Sequence, residues 1–255
     1  MTAHTVIVIP ARYGSTRFPG KPLADIAGKS MIERVYNLSM RSSLAGRVVV
    51  ATDDERIRAE IDRFGGEAQL TPTDLASGSE RMAYVAAHLD AEIYVNVQGD
   101  EPLLPPSTID AVITALRDAD DADIATASCP LRHPKEISDP NIVKLVTNQA
   151  GFALYFSRAG IPHLRDAGNE IPETGVYRKH IGIYAFRKDA LLRFAALPPT
   201  LLEQSEKLEQ LRALEHGMRI IVAEVEHDTQ AVDTPEDIKK VIAALEREEK
   251  DRQES

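Results

Sequence analysis

Near its start the chain runs Val6-Ile7-Val8-Ile9-Pro10-Ala11-Arg12-Tyr13-Gly14-Ser15-Thr16-Arg17-Phe18-Pro19-Gly20-Lys21-Pro22. The apolar run Val6-Ile7-Val8-Ile9 reads as a buried strand. Gly14, Pro19, Gly20 and Pro22 then stop any simple continuation as strand or helix. Arg12, Arg17 and Lys21 fall in the loop, and no Asp or Glu occurs before Asp25, although the protein carries a net charge of -10. A buried strand that empties into a glycine-bearing, cationic loop is a place to hold an anion. Backbone N–H groups approach a phosphate closely at glycine, and three cations neutralise it. In an open α/β sheet, ligands sit at the carboxyl ends of strands, where this loop lies. The alternative is a basic surface turn.

The loop fits neither common phosphate signature. A P-loop needs four residues between its glycines and a hydroxyl residue after the lysine. Here five residues separate Gly14 from Gly20, and Pro22 follows Lys21. The G-x-G-x-x-G dinucleotide pattern is also absent.

Outward from this loop, strands and helices alternate. Strands are expected over 5–9, 47–51 and 93–97, and helices over 31–42, from Asp53-Asp54-Glu55 to Phe64, and from Ser77 to about Leu89. Asp53 reads as a helix N-cap, and Ser77-Gly78-Ser79-Glu80 has the form of a capping box. A further helix begins at Ser107. This alternation predicts an α/β fold with a doubly wound, mostly parallel sheet. After Ile124 the pattern changes to short strand-like runs at 124–128, 142–147, 152–156 and 181–186. They predict a smaller, β-rich and mostly antiparallel section over about 124–190 inside a single domain. A polar segment at 166–177 with Gly168, Pro172 and Gly175 reads as a mobile loop. One long helix is expected over 203–216, then a strand over 220–225. Thr234-Pro235-Glu236-Asp237 starts a last helix, whose charged end over 246–255 is expected to fray.

Composition sets outer bounds. A length of 255 residues, 43% hydrophobic and 27% charged, suits a soluble globular protein with a sizeable core. The acidic balance argues against a general nucleic-acid binder. The single Cys129 cannot form an internal disulfide and reads as a free core thiol, which suits the cytoplasm. No signal peptide and no apolar run of spanning length is evident, so membrane insertion is not expected.

Gln98-Gly99-Asp100-Glu101-Pro102 follows the strand at 93–97. A carboxylate at a strand tip beside a triphosphate is a natural Mg²⁺ ligand, because Mg²⁺ takes one or two carboxylates plus phosphate oxygens. The alternative for Asp100 is support of the turn before Pro102. Asp233 ends another turn, in Ala231-Val232-Asp233-Thr234-Pro235; spacing alone makes it an acid before an N-cap, of interest only if the turn closes over Asp100. Alternation puts His180, Gly182 and Tyr184 on one face of a strand. Glu209 and Gln210 flank the apolar stripe of a helix. Taken singly, these polar residues read as solvated or structurally satisfied. No Ser-His-Asp constellation and no metal-spaced histidine cluster appears.

Taken together, eight segments resemble one family. They are IPARYGSTRFPGKPL at 9–23, VATD at 50–53, SGSER at 77–81, NVQGDEP at 96–102, ALYFSR at 153–158, HIGIY at 180–184, KLEQLRAL at 207–214 and VDTPED at 232–237. In this order they resemble the bacterial 3-deoxy-manno-octulosonate (Kdo) cytidylyltransferases, or CMP-Kdo synthetases. The resemblance implies a nucleotide-diphospho-sugar transferase-like fold, a homodimer, and transfer of CMP from CTP to Kdo with release of pyrophosphate, for lipopolysaccharide inner-core synthesis. It implies that Arg12, Arg17 and Lys21 hold the triphosphate, with Pro10, Ala11, Ser77, Gly78, Arg81 and Gln98 at the nucleotide. Asp100 and Asp233 would bind Mg²⁺, so that Lys21, Arg12, Asp100 and Asp233 carry the chemistry. Gln98, Arg158, His180, Tyr184, Glu209 and Gln210 would surround the acidic sugar, with Arg158 suited to its carboxylate. Departures at Gly14, Phe18, His163 and Lys179 leave Kdo, 8-amino-Kdo and, more remotely, another acidic sugar open as the acceptor. A nucleotide-binding regulatory protein without catalysis is the alternative from another class.

Overall fold

A computed structural model of the chain describes residues 3–14, 18–75, 77–165 and 176–254. It divides into two compact units, residues 1–109 with 229–255, and residues 110–228.

In the first unit, β1 (Ala3–Ala11) leads through the cationic loop to a 3-10 turn (Lys21–Leu23) and a small hairpin of β2 (Asp25–Ile26) and β3 (Lys29–Ser30). Helix α1 (Met31–Ser39), β4 (Arg47–Thr52), α2 (Glu55–Arg63), β5 (Ala68–Leu70), α3 (Gly78–His88) and β6 (Ala91–Asn96) then alternate. The four long-range strands lie in the order β6-β1-β4-β5, all parallel. Val6, Ile7, Val8 and Ile9 are wholly buried, as a strand covered on both faces requires. The chain winds outward from β1 to β5 and returns to the other side of β1 at β6. The order therefore switches between β1 and β6, and the loops leaving their carboxyl ends face the crevice where such folds bind ligands. Arg17 lies outside the described residues.

Helix α4 (Pro106–Asp118) follows, burying Ile109, Val112, Ile113 and Leu116 at helical spacing. The second unit contains β7 (Ile124–Pro130), α5 (Pro134–Ser138), β8 (Lys144–Thr147), β9 (Ala153–Ser157), β10 (Arg178–Arg187), α6 (Lys188–Ala195), α7 (Leu201–Glu206), α8 (Gln210–Glu215) and β11 (Ile220–Glu224). Antiparallel pairings link β7 to β10, β10 to β8 and β8 to β9. The β11 strand joins β7 in parallel. Most of the expected mobile loop, residues 166–175, lies outside the described residues. The last helix, α9 (Pro235–Glu254), belongs to the first unit.

Three local expectations are corrected. The helix expected over 203–216 is broken into α7 and α8, because Lys207 adopts a left-handed conformation at φ 55°. The N-cap of α2 is Asp54, which accepts from the Arg56 N–H, while Asp53 turns to Arg81. The charged C-terminal run is helical to Glu254. Cys129 is buried as expected, and burial pushes its thiol up to about 11.

Candidate active site

Lys21 stands at the centre of the first unit's site. Its ammonium donates to Asp100 Oδ2 at 2.6 Å and to the Val232 carbonyl at 2.9 Å, and lies 3.8 Å from Asp233 Oδ1. The two carboxylates, 133 positions apart in sequence, therefore converge on one positive charge. Backbone and packing both hold them there. The Val232 N–H donates to the Asp100 carbonyl at 2.9 Å. Val232 is also buried with Ile26, Met31 and Val241 in a cluster against which Phe18 and Leu103 pack. That cluster ties the cationic loop, the Asp100 turn and the Asp233 turn to one apolar core.

Asp237 fixes the Asp233 turn from behind. Its Oδ2 accepts from the N–H groups of Asp233 and Thr234 and from the Thr234 hydroxyl, and its Oδ1 accepts from Lys240. These bonds, that to Lys240 foremost, hold its carboxyl down at about 2. The bonds at the start of α9 thus go to Asp237, while Asp233 Oδ1 lies beside Lys21.

The loop itself is tied by a bond from the Gly20 N–H to the Tyr13 carbonyl, with Gly20 at φ 72°, a conformation glycine adopts without strain. Gly99 is required for a different reason: a Cβ there would stand 2.9 Å from the Pro10 carbonyl oxygen. The tips of β1 and β6 therefore meet backbone to backbone. A Cβ on Gly78 would touch the Pro10 ring at 3.4 Å, so α3 begins against the same strand tip.

The predicted nucleotide residues divide by role. Ser77 Oγ accepts from the Glu80 N–H and caps α3. Arg81 is wholly buried, and its guanidinium is bound to Asp53, Thr71 and the Pro72 carbonyl. It acts here as a structural cross-link. Arg12 is half-buried, and burial together with the nearby Arg81 pulls its pKa down. An incoming anion would relieve both effects. Gln98 follows β6 and is half-buried.

In the second unit His180, Tyr184 and Glu209 come together. The His180 and Tyr184 ring centroids are 5.5 Å apart. Burial pushes the Tyr184 hydroxyl far up, and the Glu209 carboxylate adds to this. Glu209 is held by Arg212 at 2.7 Å. Beside it, the buried Gln210 side-chain nitrogen has no hydrogen-bond partner among the described residues, an orphaned donor of the kind a ligand oxygen satisfies. Arg158 is employed differently. Its guanidinium donates to the carbonyls of Glu206, Pro140 and Lys207, and its N–H donates to the Glu206 carboxylate. It anchors the left-handed turn at Lys207 that precedes Glu209. Sequence reading missed Gly99 and the Val232 carbonyl. A bare strand-tip glycine could have hinted at the first; a backbone acceptor leaves no side-chain signal.

The chain matches the family model described as cytidylyltransferase over residues 6–220. It is 51% identical over 243 residues to the 3-deoxy-manno-octulosonate cytidylyltransferase of Syntrophotalea carbinolica, covering 93% of this chain and 97% of the relative. It is 48% identical over 244 residues to that of Geobacter sulfurreducens, covering 93% and 98%. Among solved structures, a CMP:2-keto-3-deoxy-manno-octonic acid synthetase complexed with CTP superposes at a TM-score of 0.90 with 43% identity, over 96% of this chain and 99% of the other. A cytidylyltransferase from Leptospira borgpetersenii, at TM-score 0.62 and 17% identity, covers 96% of this chain and 87% of its own, and shares the fold. Identity of this depth along almost the whole of both chains is shared descent, and the chain belongs to the 3-deoxy-manno-octulosonate cytidylyltransferase family.

Proposed function

We propose that this protein transfers CMP from CTP to Kdo, giving CMP-Kdo and pyrophosphate. The observation that carries the reading is the convergence of Lys21, Asp100 and Asp233 at the strand switch point, in a chain with full-length relatives of that name. The anomeric hydroxyl of the sugar attacks the α-phosphorus of CTP. A new phosphorus–oxygen bond forms, the bond to the bridging oxygen breaks, pyrophosphate leaves and the hydroxyl proton passes to solvent. Such a reaction asks the protein mainly for alignment and charge neutralisation.

In this reading Arg12, Arg17 and Lys21 bind the phosphates. Pro10 and Ala11 present the β1 tip, and Ser77, Gly78 and Gln98 line the nucleotide. Gln98, Arg158, His180, Tyr184, Glu209 and Gln210 serve the acidic sugar. Asp100 and Asp233 would hold Mg²⁺: they are oxygen donors already facing one positive charge, which suits a hard cation that also takes phosphate oxygens. Mg²⁺ bound there would neutralise developing negative charge on the phosphates. We also infer a cytoplasmic homodimer serving lipopolysaccharide synthesis; light scattering of the purified protein tests the dimer. Among the described residues no helix is long and apolar enough to cross a membrane.

The deciding assay is pyrophosphate release with CTP and Mg²⁺, run in parallel with Kdo and 8-amino-Kdo. Preference for Kdo supports the reading. Preference for the amino sugar reassigns the acceptor, and nucleotide binding without turnover for either sugar overturns catalysis.

A further inference from the structure

A bulge in β10 creates an unusual demand on its neighbour. Ile181 pairs with Ala127 and Tyr184 with Thr126, so Gly182 and Ile183 are inserted between consecutive positions of β7. Bulges re-aim side chains and leave ladder groups to find other partners. Here the partner is the wholly buried Thr126. Its Oγ1 lies 2.8 Å from the Ile183 carbonyl oxygen, 3.3 Å from the Ile181 carbonyl oxygen and 2.9 Å from His180 Nε2.

A hydroxyl has one hydrogen, and carbonyl oxygens only accept. If the Thr126 hydrogen pointed at His180, Oγ1 and the Ile183 oxygen would face each other at 2.8 Å as two bare lone-pair centres. The hydrogen is therefore committed to the bulge, and Oγ1 must accept from His180. This requires the hydrogen on Nε2 and leaves Nδ1 as a bare acceptor. No hydrogen bond from the described residues reaches Nδ1. The Phe156 ring meets the imidazole edge-on at 5.0 Å and fixes its plane. Burial pushes the imidazole down to about 3, so it stays neutral near neutral pH.

We propose that Thr126 is a positioning residue that locks His180 in its Nε2–H tautomer, so that Nδ1 accepts a hydrogen bond from a hydroxyl of the acidic sugar. The kinetic half of this inference rests on the function proposed above; the tautomer half does not. The carbonyls of the bulge set the direction of the whole relay, and a sugar hydroxyl is the donor that matches a bare imidazole nitrogen.

The test combines nitrogen-15 NMR of histidine-labelled protein with kinetics. The His180 signals are assigned by their loss in His180→Gln. In the free wild type, Nδ1 should resonate as a bare nitrogen and Nε2 as a protonated one. Thr126→Val should move the two shifts toward each other and raise KM for Kdo about tenfold, as loss of one oriented hydrogen bond does, with KM for CTP changed less than about twofold. Thr126→Ser should restore both readouts, which a purely steric role for Thr126 would not predict. A protonated Nδ1 in the wild type overturns the proposal, even where Thr126→Val fails to fold. So does a Thr126→Val variant with unchanged shifts and unchanged KM. Absence of wild-type turnover with Kdo would defeat the substrate reading instead, and the wild-type spectrum would still decide the tautomer.

Discussion

At the scale of single residues, Lys21 carries the most consequence, because its ammonium is the charge on which two carboxylates and a carbonyl converge. Lys21→Met should lower kcat/KM by about two to three orders of magnitude, the usual effect of removing one charge-stabilising donor from such a site. The far-ultraviolet spectrum should be unchanged, and a variant with near wild-type activity would remove Lys21 from the chemistry. Gly99 is a second sharp test. A methyl group at this position would stand 2.9 Å from the Pro10 oxygen, so the tips of β1 and β6 must separate to admit it. Gly99→Ala should therefore cost about a hundredfold in kcat/KM by misplacing the loops that follow both strands. Full activity would mean that the crevice tolerates movement at its root. Sequence reading found Lys21 and Asp100 because each lies in a loop that leaves a mainly apolar, buried strand. Spacing alone made Asp233 an acid before an N-cap, and only the family resemblance paired it with Asp100. The structure adds that Asp237 takes the bonds at the start of α9 and that Asp233 stands beside Lys21.

At the scale of elements, the start of α9 should respond to acid. The Asp237 carboxyl is held at about 2 against an ordinary 3.8, mainly by Lys240 and then by Thr234 and Asp233. A depressed folded-state value means the stabilisation is complete above the ordinary pKa and is lost as pH falls toward about 2. Urea midpoints of wild type and Asp237→Asn should thus differ more at about pH 5 than at about pH 3. An equal gap at both would show that Asp237 does not titrate in that window. The break between α7 and α8 gives another element-scale test. Lys207 sits at φ 55° with no glycine or proline nearby, so nothing in Glu206-Lys207-Leu208 announces a stop. Arg158 supplies the cause, binding the Glu206 and Lys207 carbonyls from 49 positions or so away. Lys207→Val should lower stability by about 1–2 kcal/mol, because a β-branched side chain tolerates this conformation poorly. An unchanged thermal midpoint would mean the turn is free to relax. By contrast β1, β4 and β6 were legible, since continuous apolar runs have few other uses. The short Ala68-Gln69-Leu70 strand was not, having neither length nor alternation to distinguish it from loop.

At the scale of the whole molecule, a chain of net charge -10 carries Arg12, Arg17 and Lys21 in one acid-free stretch of sequence, the charge pattern that the proposed phosphate site needs. The parallel order β6-β1-β4-β5 was readable from the alternation of elements, and it fixes where that loop must open. Which distant carboxylates meet there was readable through the family resemblance but not from spacing, because the meeting depends on the Val232 N–H reaching the Asp100 carbonyl across 132 positions. A site assembled from separate turns is stabilised as a unit when its ligand binds, and this leads to a measurement on the intact protein. A ligand at about a hundred times its Kd adds about 2.7 kcal/mol to the folded state. For a chain of this size that corresponds to about 5–10 °C in the thermal midpoint. CTP with Mg²⁺ should give a shift of this order, while a chelator should reduce the shift given by the same CTP. Lys21→Met should lose most of the CTP shift, because the ammonium is the natural partner of the phosphates once the carboxylates hold metal. Asp100→Asn should respond to CTP alone but gain little from added Mg²⁺. If the Mg²⁺ increment survives in both Asp100→Asn and Asp233→Asn, the ion is held by the nucleotide alone, and the two carboxylates serve only to orient Lys21.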